Sequence, residues 1–211
     1  MIDAVVFDFD GTLADTSELI IKSFQTVYKK FLGEEKPEEV IRGFFGEPLK
    51  VTIKREFPQS YEEVFKEYRQ YQSERFDTYV RLFDNAKKTL KYLKSKNIKT
   101  AVVTSRIRES VINAMKTFNI EKYFDEVVAV NDTVNHKPHP EPLIKAIGLL
   151  NVSADRVLFA GDSRFDMECA VRAGITPVLA GWHTGSDELA KQYNVKYVIN
   201  NLYEITGLIE M

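Results

Sequence analysis

Cysteine is almost absent: Cys169 is the one thiol in 211 residues, which excludes an internal disulfide and a cysteine-built zinc site and suits a reducing compartment. An excess of charge is missing too. The 29 Lys and Arg nearly balance 31 Asp and Glu, leaving −2, so composition calls for neither nucleic acid nor an anionic membrane as partner. No apolar run approaches the roughly 18 residues of a spanning helix. Asp3, Asp8 and Asp10 interrupt the stretch where a leader's apolar centre would lie. Histidine is scarce: His136 and His139 flank Lys137, but Pro138 and Pro140 deny that pair helical spacing and with it a ready metal site. His183, in a "GWHTGS" segment without GK[ST], reads as structural, and no nucleotide-binding P-loop is indicated. No repeat or low-complexity linker is visible. The expectation is a soluble cytoplasmic protein, monomer or homodimer.

What is present alternates. Strand-like runs stand at 4–9, 100–103, 126–130, 157–160, 176–179 and 196–199, with little polar alternation, as in strands covered on both faces. Between them lie helical stripes: Ala86, Leu90 and Leu93; Ile107, Val111, Met115 and Phe118; Leu143, Ile144 and Ile147. Asn97, Asn119 and Gly174 stand where such helices stop. Cys169 falls on an apolar face with Met167, Ala170 and Val171 and reads as a core thiol. The pattern predicts an α/β fold, a doubly wound parallel sheet. Residues 16–81 break the alternation. They read as helix throughout, opening with a cap at Asp15–Glu18 and a stripe of Leu19, Ile20, Phe24, Val27 and Tyr28. We expect an all-helical cap over 16–81 inserted into an α/β core of 1–15 and 82–211. Tyr61, Phe65, Tyr68 and Phe76 suit its packed interior better than a base-stacking surface, since no basic groove accompanies them.

Ligands of open α/β sheets bind beyond the carboxyl ends of the strands. There this sequence places Asp8, Asp10, Gly11 and Thr12 after the first strand, and Thr104, Ser105 and Arg106 after the second. Lys137 follows the third, and Asp162 and Asp166 the fourth. Two anions 4 Å apart at an effective dielectric of about 20 repel by roughly 4 kcal/mol. Four carboxylates on one rim therefore call for a cation, and oxygen-only donors favour a hard one, Mg²⁺. Thr104 and Ser105 offer hydroxyls and backbone N–H groups to an anion, though such a pair often only caps a helix. Lys137 supplies a point charge for a phosphate or a carboxylate. Arg106 reads as a surface residue, and Arg42 and Lys50, around Gly46-Glu47-Pro48-Leu49, as solvated positions.

Taken together, "DFDGTLADT", "VVTSR", "KPHPEP" and "GDSRFDMECAVRAG" resemble the four motifs of the haloacid-dehalogenase-like phosphohydrolases, over essentially the whole chain. The likeness is nearest to phosphoglycolate phosphatases and similar small pyrophosphatases. It implies Asp8 as nucleophile and Asp10 as general acid/base, with Mg²⁺ held by Asp8, the Asp10 backbone carbonyl and Asp162, and Asp166 close by. It further implies that Gly11, Thr12, Thr104 and Ser105 meet the phosphoryl group while Lys137 orients Asp8. It puts the first strand between the second and fourth. Asp84-Asn85 stands where many relatives have Pro-Gly. The implied activity is hydrolysis of a small phosphorylated metabolite, phosphoglycolate first and pyrophosphate next. A phosphomutase using the same motifs remains an alternative.

Overall fold

The computed structural model describes residues 1–210. In chain order its strands and helices are β1 (Ala4–Phe7), β2 (Ala14–Asp15), α1 (Ser17–Leu32), α2 (Glu38–Arg42), α3 (Leu49–Glu56), α4 (Tyr61–Tyr79), β3 (Arg81–Leu82) and α5 (Ala86–Ser95). There follow β4 (Lys99–Val103), α6 (Arg108–Thr117), β5 (Glu126–Val128), α7 (Glu141–Leu150), β6 (Val157–Gly161), α8 (Arg164–Ala173), β7 (Thr176–Ala180), α9 (Ser186–Gln192), β8 (Tyr197–Ile199) and α10 (Ile205–Leu208). Six strands form one sheet in the order β5-β4-β1-β6-β7-β8, every neighbouring pair parallel. The first strand thus lies between the second and fourth of the sheet, as the resemblance implied.

Alternate residues of a strand face opposite sides, and β1 uses both. Val5 and Phe7 pack with Leu90 and Leu93 of α5, Val111 and Met115 of α6 and Ile205. Ala4 and Val6 pack with Leu143, Ala146 and Leu150 of α7 and Cys169 and Ala170 of α8. The stripe of α7 therefore runs through Leu143, Ala146 and Leu150, and Ile144 is exposed. On α8, Cys169, Met167 and Ala170 are buried while Val171 is exposed. Asn97 and Asn119 take the left-handed backbone at φ 55° and 53°, which asparagine tolerates better than most residues. Asn85 does the same at φ 64° just before α5, so it meets there a backbone demand that suits glycine.

Helices α1–α4 gather an apolar cluster of their own, including Phe24, Val27, Tyr28, Ile41, Ile53, Phe57, Val64 and Tyr68. The aromatic residues of α4 are accordingly packing residues. The cap expected at Asp15–Glu18 is not formed by a side chain at the helix N-cap, Thr16; Asp15 Oδ1 instead accepts from Ser17 N at 3.0 Å. The two chain passes that join this insertion to the sheet pair with each other, Ala14 with Leu82 and Asp15 with Arg81, antiparallel. Two-residue strands are too short to show a period, which hides this hinge ribbon from sequence reading.

Candidate active site

β1 ends at Phe7, two residues sooner than the apolar run suggests. Asp8 N still bonds Ala160 O of β6, at 2.8 Å, so Asp8 stays in the sheet's frame. The chain then folds into a tight turn, Leu13 N and Ala14 N both donating to Phe9 O at 3.0 Å. This carries Asp10 off the sheet. The two carboxylates therefore have different surroundings, Asp8 buried and Asp10 half-buried.

Lys137 is buried and donates from Nζ to Asp8 Oδ1 at 2.8 Å and to Asp166 Oδ1 at 2.6 Å. Asp162 lies alongside: oxygens of Asp8, Asp162 and Asp166 fall within 4.8 Å of one another. Burial disfavours the charged form of Lys137, but the carboxylates of Asp166 and Asp8 outweigh it and raise its pKa. One ammonium does not neutralise three carboxylates. Burial first, then the like charges of Asp166 and Asp10, push Asp8 up to about 7 despite Lys137. Asp162 is raised well above the ordinary range by burial and by Asp166 and Asp8. A buried, all-oxygen cluster with surplus negative charge fits a hard divalent cation. Asp166 is doubly committed, Oδ1 to Lys137 and Oδ2 to Ser163 N at the start of α8, so it combines a helix cap with the cluster. Asp10 adds no carboxylate to this cluster.

Asp10 is held instead by Arg106, whose Nε donates to Oδ1 at 2.9 Å and Oδ2 at 2.8 Å while Nη1 donates to Ser110 Oγ at 2.9 Å. The Arg106 guanidinium also lies over the rings of Phe9 and Phe76. This corrects the surface role expected of Arg106: its side chain is 9% exposed. A basic residue directly after the Thr-Ser pair was the available signal, but its partner lies in another motif. Arg42 is solvated as expected and pairs with Glu38. Lys50 is exposed yet stands on the rim of the cavity described below.

Other expected residues meet protein. Thr12 Oγ1 donates to Asp162 Oδ1 at 3.0 Å, and Gly11 N donates to Ala14 O at 2.8 Å. In this structure, then, Thr12 bonds the Asp162 carboxylate and Gly11 packs against it, where contact with substrate was expected. Gly11 has φ +78°, and a Cβ there would come 2.2 Å from Asp162 Oδ2. Gly11→Ala is expected to displace Asp162 and weaken Mg²⁺ affinity by at least about tenfold, because one misplaced ligand costs on that order; isothermal titration with Mg²⁺ measures it. Thr104 Oγ1 accepts from Arg106 N at 3.1 Å, and Ser105 Oγ donates to Gly46 O at 2.9 Å. The pair does not cap α6, which begins later, after Ile107. His183 is placed closer to the chemistry than a merely structural residue, with Nε2 2.7 Å from Gly11 O and 3.7 Å from Asp162 Oδ2. His136 lines the cavity with its Nδ1 unpartnered, and His139 accepts from Glu141 N. Neither belongs to the carboxylate cluster.

A cavity of about 340 Å³ opens over Asp8 and Asp10, walled on the cap side by Phe24, Phe44, Phe65 and Tyr68. Gly46, at φ +83°, passes so near Ser163 that a Cβ would lie 2.6 Å from its Oγ. The Gly46–Leu49 loop thus seats on the rim of the sheet and forms part of the cavity wall.

The raised carboxylates set a pH dependence. Between about pH 4 and 7 the metal-free native state binds more protons than the unfolded chain, so its stability falls as pH rises through that window. Carboxylates with lowered pKa, such as Asp132 and Glu141, act below it. Thermal denaturation in chelator is expected to show Tm declining from pH 5 to pH 8. The Tm gain on adding Mg²⁺ should grow over the same range, as the cation replaces protons. A gain independent of pH would contradict this.

A family model described as haloacid dehalogenase-like hydrolase matches residues 5–180. A protein of Caldanaerobacter subterraneus subsp. tengcongensis is 39% identical over 209 residues, covering 99% of this chain and 95% of its own length. It shares the name PpaX with the pyrophosphatase PpaX of Halalkalibacterium halodurans, 32% identical over 212 residues, covering 99% and 97%. Among solved structures, a protein described as a predicted phosphoglycolate phosphatase of Haemophilus somnus superposes with a TM-score of 0.90 at 22% identity, over 98% of this chain and 97% of that one. At that identity the likeness speaks for the fold alone. With sequence, sheet order and match over most of its length in agreement, the chain belongs to the haloacid dehalogenase-like hydrolases.

Proposed function

We propose that this hydrolase is a Mg²⁺-dependent phosphatase that passes a phosphoryl group from a small substrate to Asp8 and then to water. The observation that supports it most is the buried cluster of Asp8, Asp162 and Asp166 beside Lys137, of which Asp8 faces a cavity walled by the helical insertion. Asp8 attacks phosphorus, and Lys137 holds it in line and offsets its charge. Asp10, steadied by Arg106, protonates the leaving oxygen and then activates the water that cleaves the aspartyl phosphate. Thr104 and Ser105 line the phosphoryl position from the end of β4. Asp8, Asp162 and the Asp10 carbonyl would hold Mg²⁺, with Asp166 fixing the cluster from behind. Bound there, the cation would neutralise phosphoryl charge.

Inorganic pyrophosphate is the substrate we favour, since full-length relatives at 39% and 32% identity carry the PpaX name, in the second case as a pyrophosphatase. Phosphoglycolate ranks second, supported by likeness of fold only. The test is phosphate release from both compounds and a panel of monoesters, with Mg²⁺ and with chelator. Strong Mg²⁺-dependent release from pyrophosphate is the expected result. Full activity in chelator would rule out the mechanism, and release requiring a sugar bisphosphate would indicate a mutase.

A further inference from the structure

Two cations on the cavity's lining make no hydrogen bond or ion pair among the described residues: Lys50, exposed at the rim over the ring of Phe65, and Arg69. Of the described arginines, Arg42, Arg55, Arg75, Arg108, Arg156 and Arg172 pair with carboxylates, Arg81 bonds backbone carbonyls, and Arg106 grips Asp10. Arg164 is exposed and lies over the ring of Phe165. Arg69 differs from all of these. It sits on α4, is half-buried, lines the cavity over Asp8 and Asp10, and makes no hydrogen bond or ion pair among the described residues.

The carboxylates around it are otherwise engaged. Asp10 belongs to Arg106, and Glu47 is held by Thr52 and Arg55. Glu109 acts on Arg69 only through space. Burial, and then the positive charge of Arg106, pull the Arg69 pKa down, and no side chain pairs directly with it in a wall that includes Phe24, Phe65 and Tyr68. A half-buried guanidinium in such a wall has five donors to offer and is partly withdrawn from water. An anion placed there would gain a fork-shaped, charge-assisted contact.

We infer that Arg69 binds a second anionic group of the substrate, the one that is not transferred, and so selects molecules carrying a phosphoryl group plus a further phosphate or carboxylate. This rests on the phosphatase reading above and narrows it: inorganic pyrophosphate and small phosphorylated acids are of this class, and esters of uncharged alcohols are not. Of the two unpaired cations on the lining, Lys50 stands exposed at the rim, and Arg69 is the half-buried one, set among the aromatic side chains of the cap. Arg69 is a specificity residue, distant in role from the cluster at Asp8.

Arg69→Met keeps much of the length and removes the charge, and Arg69→Lys keeps the charge without the fork. With Mg²⁺ present, kcat and KM are measured for pyrophosphate, phosphoglycolate and p-nitrophenyl phosphate. For Arg69→Met we expect the ratio of kcat/KM for the two-anion substrates to that for p-nitrophenyl phosphate to fall about 10- to 100-fold, the range for one lost charge-assisted contact. Most of the fall should lie in KM, and Arg69→Lys should recover part of it. An unchanged ratio, whether both activities fall together or neither falls, overturns the inference. A wild-type protein that cleaves p-nitrophenyl phosphate but no two-anion substrate overturns it too and leaves the phosphatase reading standing. A wild-type protein inert on every compound with Mg²⁺ overturns that reading itself.

Discussion

Asp8→Asn is expected to lower phosphate release by about 10⁴-fold or more while leaving the protein as stable as before, or more so. The carboxamide is no nucleophile, and removing the attacking group of a two-step mechanism costs on that order. Stability should behave oppositely because Asp8 is buried and shifted up to about 7, chiefly by burial, so its anion is unfavourable in the metal-free protein. The neutral amide escapes that penalty and keeps an oxygen to accept from Lys137 Nζ, now 2.8 Å away. Phosphate release and thermal denaturation in chelator at pH 8 measure the two effects separately. Activity within tenfold of wild type would remove Asp8 from the role of nucleophile. An inactive, unfolded variant would show that the charge is needed for the fold, against the burial argument.

Lys137→Met is expected to cost stability where Asp8→Asn does not. The ammonium is 2% exposed and lies between two carboxylates, one 5% and one 0% exposed. Breaking a buried pair by removing one partner costs about 3–5 kcal/mol, because it leaves uncompensated charge in the interior. For a chain of this size each kcal/mol lowers Tm by about 2–4 °C, so a loss of about 10 °C is expected at pH 8. Orphaned carboxylates can take up protons, and the loss should therefore shrink as pH falls towards 5. Adding Asp166→Asn should recover much of it at pH 8, since one buried anion disappears with its cation. A loss independent of pH, or no recovery in the double variant, would mean that Lys137 matters for packing alone.

The contrast between these variants follows from the division of labour at the site. Lys137 is the structural centre to which two of the three cluster carboxylates attach, and Asp8 is the one of those two that faces the cavity. Thr12 bonds Asp162, and His183 Nε2 lies 3.7 Å from it. Gly46 closes the roof through Ser105. None of these contacts is near in sequence, and each joins the end of one element to the end of another.

That is where the sequence stops being sufficient. It determines by itself the alternation of elements, because buried parallel strands demand short continuous apolar runs and surface helices demand a 3.6-residue stripe. It also determines which residues stand at the carboxyl ends of the strands, since Asp8, Thr104 and Asp162 directly follow such runs. It shows the helical insertion, whose apolar stripes have no strands between them. Tertiary structure alone decides who meets whom. Arg106 is separated from Asp10 by 96 positions, and only the adjacency of β1 and β4 in the sheet makes them partners. Local sequence marks Arg106 only as a basic residue after the Thr-Ser pair; it does not show that Arg106 is held and that Arg69 makes no ion pair. The difference is that packing brings a carboxylate to one guanidinium and an apolar wall to the other, and charge that packing leaves unpaired is free to recognise a ligand.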